Sequence, residues 1–240
     1  MKIKKSSWKL KIIHYLSGDY NYFSMSLSEN KITEKVLNDQ ISATISQGKL
    51  FDLHSIENKR VEIGFTAQEV SSDGGLLLIK DIENRIGIVK AISNCMVDDR
   101  HQSYVRHSFE EITLQRVCQI VAGYEDANDC DKLRDDTILK MSVGRLPDTG
   151  AALASQSTMT RFENTPRAKD LYHIAKVFVD KFIASYPAAP PVIIIDCDDT
   201  NSNTHGGQQL SIFNDYYGEY CYMPLHIYEG LSGKLITTIL

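Results

Sequence analysis

Residues 192–201 read VIIIDCDDTN, so that four aliphatic residues lead directly into a group of three acids. The aliphatic run predicts a short buried strand. Because side chains alternate along a strand, we expect Asp196 and Asp198 on one face. Negative charges at the end of a buried strand require a compensating positive charge, such as a bound cation. The hard oxygen atoms of carboxylates favour magnesium or manganese over zinc. The alternative is that the acids are solvated at an exposed strand end or cap the following turn.

The sequence changes from helical to extended character around this run. Apolar spacing and end signals predict helices from Leu76 to Gly87, from a Ser108–Glu111 capping box to Gly123, from about Asp129 to Gly144, over 157–164 with Ser157 as cap, and from Thr165-Pro166 to Pro187. Strands are expected over 192–198, 220–228 and 234–240, the last two joined by the turn 229–233. We therefore expect an atypical basic extension over 1–60, a helical region over 61–190 and a sheet region over 191–240.

Composition excludes several classes of protein. The chain of 240 residues is 42% hydrophobic and 24% charged, which is typical of a soluble globular protein. No apolar run approaches the roughly 20 residues that a membrane helix needs. The five cysteines form no C-x-x-C pair, so neither a disulfide framework nor a zinc ribbon is indicated. We expect a cytoplasmic protein.

Charge is distributed unevenly along the chain. The net charge is −5, yet residues 1–60 hold 10 Lys+Arg against 6 Asp+Glu. Nucleic-acid binding requires basic side chains on the contact face, so the candidates are the Lys-rich N-terminus and Arg100, Arg106, Arg116, Arg145, Arg161 and Arg167. Arg134 is instead expected to pair with acids of the run 125–136, which lacks the glycine of a calcium loop.

The motif D-x-D-x-T at 196–200 resembles the first motif of the haloacid dehalogenase phosphatases. That resemblance implies Asp196 as nucleophile and Asp198 as general acid and base, assisted by magnesium. The phosphatase fold needs a doubly wound sheet downstream, whereas only 40 residues follow Thr200. The phosphatase is therefore the lesser alternative.

A second resemblance covers most of the chain, from about Phe65 to Leu240. Its segments are VSSDGGLLLIKDIENRIGI (70–88), QRVCQIVAGYEDANDCDKLRDD (115–136), LASQSTMTRFEN (153–164), IIIDCDDTNSNTHGGQQ (193–209) and NDYYGEYCYMPLHIYEGLSGKL (214–235). In order and spacing they are similar to one subgroup of the DDE transposases of bacterial insertion sequences. The resemblance implies an α+β protein, in which a helical DNA-binding region precedes the opening antiparallel strands of a ribonuclease H-like domain.

The resemblance also implies a chemistry. The first acid of the DDE triad falls in the pair Asp196 and Asp198, and we prefer Asp198 because Thr200 follows two positions later. Two magnesium or manganese ions held by such acids support DNA cleavage at transposon ends and strand transfer. The implied partners are the terminal repeats and target DNA, with a homo-oligomer as a further candidate. The implied location is the bacterial cytoplasm, at the nucleoid when the protein is bound to DNA.

Several residues are candidate DNA contacts. Arg161 and Thr160 are the best if 157–164 is a recognition helix, and His205 and Gln208 lie in the loop after the catalytic strand. A purely structural role for His205 is equally compatible with the sequence. The family needs a second Asp and a Glu from later strands, and the sequence reaches Leu240 before either. We therefore expect a truncated domain that is inactive alone, or alternatively a non-enzymatic DNA-binding remnant that competes with full-length transposase.

Overall fold

A computed structural model describes residues 51–63, 71–204 and 211–240. The chain divides into two compact units, one ending at Arg167 and the other containing Ala168–Leu240. Most of the predicted basic extension, residues 1–50, lies outside the described residues. The boundaries near residues 60 and 190, between the basic extension, the helical region and the sheet region, were predicted from changes in the sequence pattern. They stay a prediction.

In its described residues, the unit that ends at Arg167 is helical apart from one short antiparallel strand pair. Its elements are β1 (Phe51–Asp52), β2 (Glu62–Ile63), α1 (Leu76–Ile86), α2 (Ile88–Ser93), a 3₁₀ turn (Gln102–Tyr104), α3 (Phe109–Val121), α4 (Asp129–Leu133), α5 (Thr137–Ser142) and α6 (Gln156–Glu163). Its main core consists of Leu76, Val89, Leu114, Cys118, Leu139 and Leu153. Buried Gln115 ties α3 to the segment before α6, because its amide makes two bonds of 3.0 Å to the Ala154 backbone.

Local end signals position two of these helices as predicted. Gly87 ends α1 in the left-handed conformation, with φ of +64°, and its N–H donates to the Glu83 carbonyl. The Ser108 hydroxyl accepts a 3.1 Å hydrogen bond from the Glu111 N–H and so caps α3. Both predicted helix ends are confirmed. They were predictable because each depends on residues within one helical turn.

Two other helix predictions are wrong in detail. The helix expected from Asp129 is interrupted, because Asp136 leaves the helical conformation with ψ of 128°. Its side chain caps α5 by accepting a 2.8 Å hydrogen bond from the Leu139 N–H. The cap of α6 is Ser155 and not Ser157, since the Ser155 carbonyl accepts the first helical hydrogen bond from Met159.

The described part of the other unit combines one long helix with two small antiparallel sheets. Its described elements are α7 (Ala168–Ala184), β3 (Ile195–Asp199), β4 (Ser202–Asn203), β5 (Ile212–Asn214), β6 (Glu219–Tyr222), β7 (Leu225–Glu229) and β8 (Lys234–Ile239). One sheet has the order β3-β7-β8 and the other β4-β6-β5. The predicted α+β class, with helices followed by antiparallel strands, is confirmed. None of the helices in the described residues has the length and apolarity to cross a membrane.

The strands differ from the prediction in two respects. The strand expected over 220–228 is two strands in different sheets, because Pro224 lacks an N–H and separates β6 from β7. The strand expected over 192–198 begins only at Ile195, and Val192 is 52% exposed. The acids are therefore part of β3 itself, and do not follow a buried aliphatic strand.

Candidate functional site

Asp196 and Asp198 lie on one face of β3, as the alternation of side chains predicts. In the register with β7, Asp196 is opposite Tyr228 and Asp198 is opposite His226. His226 is in turn opposite Thr238 of β8, and its Nδ1 lies 2.9 Å from the Thr238 Oγ1. The two acids thus share a sheet face with a hydrogen-bonded imidazole.

The other face of this sheet contacts α7. Cys197 is paired with Ile227, which is paired with Thr237, and the Thr237 hydroxyl donates a 2.9 Å hydrogen bond to the Ala175 carbonyl. The acids project from the opposite face, where both are exposed. The expectation that their burial demands a compensating charge is wrong, because β3 is an edge strand of the described sheet and water reaches the carboxylates.

The two acids fit a hard divalent cation by their chemistry, because magnesium and manganese prefer carboxylate oxygens. Neither Asp196 nor Asp198 is engaged in a side-chain hydrogen bond or ion pair within the described residues. In the same part of the chain, no three His, Cys, Asp or Glu side chains form a group that could hold a metal ion. Two carboxylates alone are fewer than the roughly six ligands that such an ion takes, so a metal site at this face would require further donors.

The predicted DNA-contact residues have different environments. Arg161 on α6 is exposed, whereas Thr160 is half-buried and its Oγ1 lies 3.1 Å from the Gln156 Nε2. His205 and Gln208 lie outside the described residues. Of the two residues that the structure describes, Arg161 is the exposed one.

A groove of about 600 Å³ lies beside Arg161. It is also lined by Arg106 from the segment before α3, by Arg134 at the end of α4, and by Arg100. No acid is among the described residues that line it. The predicted ion pair of Arg134 with acids of the run 125–136 is not formed within the described residues, and no local sequence pattern indicates its position beside Arg161.

Four arginines of the predicted contact surface, including Arg100 at the groove, are paired with acids. The pairs and their shortest N–O distances are Arg100–Asp98 (2.6 Å), Arg116–Glu163 (2.6 Å), Arg145–Glu111 (2.7 Å) and Arg167–Asp99 (3.3 Å). The Arg100 guanidinium bonds both oxygens of Asp98 and holds the pKa of that carboxyl below its usual range. Arg106, Arg134 and Arg161 at the groove have no such acid partner within the described residues.

The model of the transposase DDE domain group 1 family matches the chain over residues 53–240. The chain belongs to this family of DDE transposases. No curated protein and no solved structure matches it. Transposases act on DNA, and DDE transposases generally use divalent metal ions. The family match includes both the acid-bearing strand β3 and the arginine-lined groove, and it confirms the transposase prediction made from the five segments. The subgroup and the bacterial insertion sequence stay predictions.

Proposed function

We propose that this chain supplies the end-binding surface and the first catalytic acid of a transposase that cleaves transposon ends and joins them to target DNA. The observation that supports this most directly is the exposed pair Asp196 and Asp198 on one face of β3, within a transposase-family match over 53–240. Asp198 is the first acid of the triad and Asp196 is the second choice, because Thr200 follows Asp198 at the family's spacing.

The proposed cofactor is magnesium, with manganese as its substitute. Bound divalent ions activate an attacking water or 3′ hydroxyl and stabilise the leaving oxygen of a phosphodiester. Asp198 and Asp196 contribute fixed negative charge at one strand face. Because neither carboxylate is committed to an ion pair within the described residues, ligation breaks no existing interaction there.

Manganese binding tests the assignment of the acids without requiring catalysis. We expect Asp198→Asn to weaken Mn²⁺ binding about tenfold in an electron paramagnetic resonance titration, a loss of about 1.4 kcal/mol, and Asp196→Asn to have a smaller effect. Asp199→Asn is the matched control, since Asp199 is the next residue but projects from the opposite strand face. An equal or larger effect of Asp199→Asn contradicts the assignment.

Residues 1–240 by themselves are proposed to bind transposon ends without cutting them. The support is that the described residues bring together only part of a metal site. Incubation with a transposon-end duplex and magnesium is expected to give a salt-sensitive gel shift and no strand cleavage. Robust cleavage refutes the inactivity, and absence of any salt-sensitive shift refutes end binding.

Two alternatives make different predictions in simple assays. A non-enzymatic remnant, which the incomplete ligand set favours, would lower cleavage by full-length transposase when added in excess. A haloacid dehalogenase-like phosphatase would release phosphate from an aryl phosphate and lose that activity in Asp196→Asn. We expect no phosphate release from the chain.

A further inference from the structure

We infer that the groove lined by Arg106, Arg134 and Arg161 is a binding site for the phosphodiester backbone of DNA. This inference rests on the proposed function and adds to it the surface that holds the DNA. Each of the three side chains is exposed, and none has an ion-pair partner within the described residues. No local sequence pattern links them, because they come from three separate segments.

The way in which arginines are paired in this unit argues for an anionic ligand. Arg100, Arg116, Arg145 and Arg167 each lie within 3.3 Å of a carboxylate oxygen. The chain has an acidic net charge of −5, so acids are plentiful. Three uncompensated guanidiniums around one groove repel each other, and that repulsion is relieved when a polyanion enters.

The backbone around the groove is held by hydrogen bonds that do not involve the guanidinium groups of the three groove arginines. The Arg134 carbonyl accepts a 2.9 Å hydrogen bond from the Leu153 N–H, which fixes the end of α4 against the segment before α6. The Arg145 side chain bonds the Ala152 carbonyl at 2.6 Å and also reaches His107, next to Arg106. The three arginines therefore extend from a backbone that is already ordered, which reduces the conformational entropy lost when a ligand binds.

Phosphate contact predicts loss of affinity that is independent of base sequence. Fluorescence anisotropy would compare a transposon-end duplex with an unrelated duplex of equal length, at salt concentrations from 50 to 200 mM. At 100 mM salt we expect Arg106→Gln, Arg134→Gln and Arg161→Gln each to weaken binding to both duplexes about eightfold. The slope of log K against log salt should flatten by about 0.9 for each substitution.

Control variants distinguish the effect on DNA binding of a charge at the groove from that of a charge elsewhere on the unit. Arg85→Gln removes the same charge from α1, outside the groove lining, and is expected to leave the salt slope unchanged. Arg161→Lys keeps the charge and should retain the wild-type slope. Circular dichroism of each variant checks that the fold is intact, which is expected because the three groove side chains are exposed.

The outcomes distinguish this inference from the proposed function. If the wild-type chain binds DNA and the folded groove variants bind equally well with the same slope, the groove is wrong and end binding stands. A loss restricted to the transposon-end duplex overturns backbone binding in favour of base contacts. Failure of the wild-type chain to bind either duplex at 50 mM salt overturns both end binding and the groove.

Discussion

Arg145 joins three segments of the helical unit through one side chain. Its Nη1 donates to the carbonyls of Ala151 and Ala152 at 2.8 and 2.6 Å, and its Nη2 lies 2.7 Å from a Glu111 carboxylate oxygen. The Arg145 and Glu111 side chains are only 16% and 17% exposed, so water replaces these bonds poorly. Removing the guanidinium would leave two carbonyls without this donor and the Glu111 carboxylate with only its 3.0 Å contact to His107 Nδ1.

Arg145→Gln is therefore expected to lower the free energy of unfolding by about 3 kcal/mol, measured by urea denaturation. Lys132→Gln is the control in the same unit, because Lys132 is 82% exposed and lies 3.6 Å from Asp129. Exposed pairs contribute little, so the control should cost less than about 1 kcal/mol. Similar decreases in the free energy of unfolding in the two variants would show that the Arg145 hydrogen bonds and ion pair do not stabilise the unit.

The cysteines provide a residue-scale test of where the structure places the acidic strand. Cys197, between the two candidate acids, is exposed, whereas Cys118, Cys130 and Cys221 are fully buried and Cys95 is half-buried. Burial raises the pKa of the Cys118 and Cys130 thiols and so disfavours the reactive thiolate. In the native protein we expect Ellman's reagent to modify Cys197 first, with peptide mass spectrometry assigning the site. Modification of Cys118 or Cys130 at the rate of Cys197 would contradict the placement of β3.

At the scale of elements, Glu229 connects the turn after β7 to the chain that enters β3. Its side chain is buried, and its carboxylate accepts hydrogen bonds from the Ser232 N–H at 2.7 Å and the Ile194 N–H at 3.3 Å. The pKa of Glu229 lies below its usual value, mainly because of the hydrogen bond from Ser232. The carboxylate thus stabilises the sheet in its charged form.

This gives a pH dependence with a definite sign. Because the folded pKa lies below the unfolded value near 4.5, the stabilisation is fully present above that pH and is lost as the pH falls through the folded pKa. Glu229→Gln is expected to cost about 1–2 kcal/mol near neutral pH. In urea denaturation from neutral to acidic pH, the difference from wild type should narrow below about pH 4.5. A difference that stays constant down to acid unfolding would exclude the charged form as the stabilising one.

The sequence predicted those elements whose signals are local. Gly87 and Ser108 determine helix ends through neighbours within one turn, and the alternation along β3 placed Asp196 and Asp198 on one face. The start of α6 was not predictable in this way, because the Gln156 N–H bonds to Asp131, which is 25 positions earlier in the chain. The groove depends on contacts of the same kind between α4 and α6, so the pattern of arginines along the sequence gave only part of it.

At the scale of the whole molecule, the two candidate catalytic acids and the three groove arginines belong to different compact units. Asp196 and Asp198 belong to the unit containing Ala168–Leu240, and the lining of the groove belongs to the unit that ends at Arg167. The net charge of −5 is therefore a poor guide to DNA binding, since a polyanion responds to the local charge of the surface that it meets. Under the proposed function, the candidate metal ligands and the candidate DNA-binding groove therefore belong to different units.

This division predicts that the two activities respond to different substitutions. Asp198→Asn is expected to weaken Mn²⁺ binding and leave the salt slope of DNA binding unchanged, whereas Arg161→Gln should flatten that slope and change Mn²⁺ affinity less than about twofold. The reason is that the two side chains share no partner within the described residues, and effects at sites without shared partners add. Both titrations on the double variant check the additivity. A flattened salt slope in Asp198→Asn, or a double variant that departs from the sum by more than about 0.5 kcal/mol, would mean that the acids and the groove act as one site.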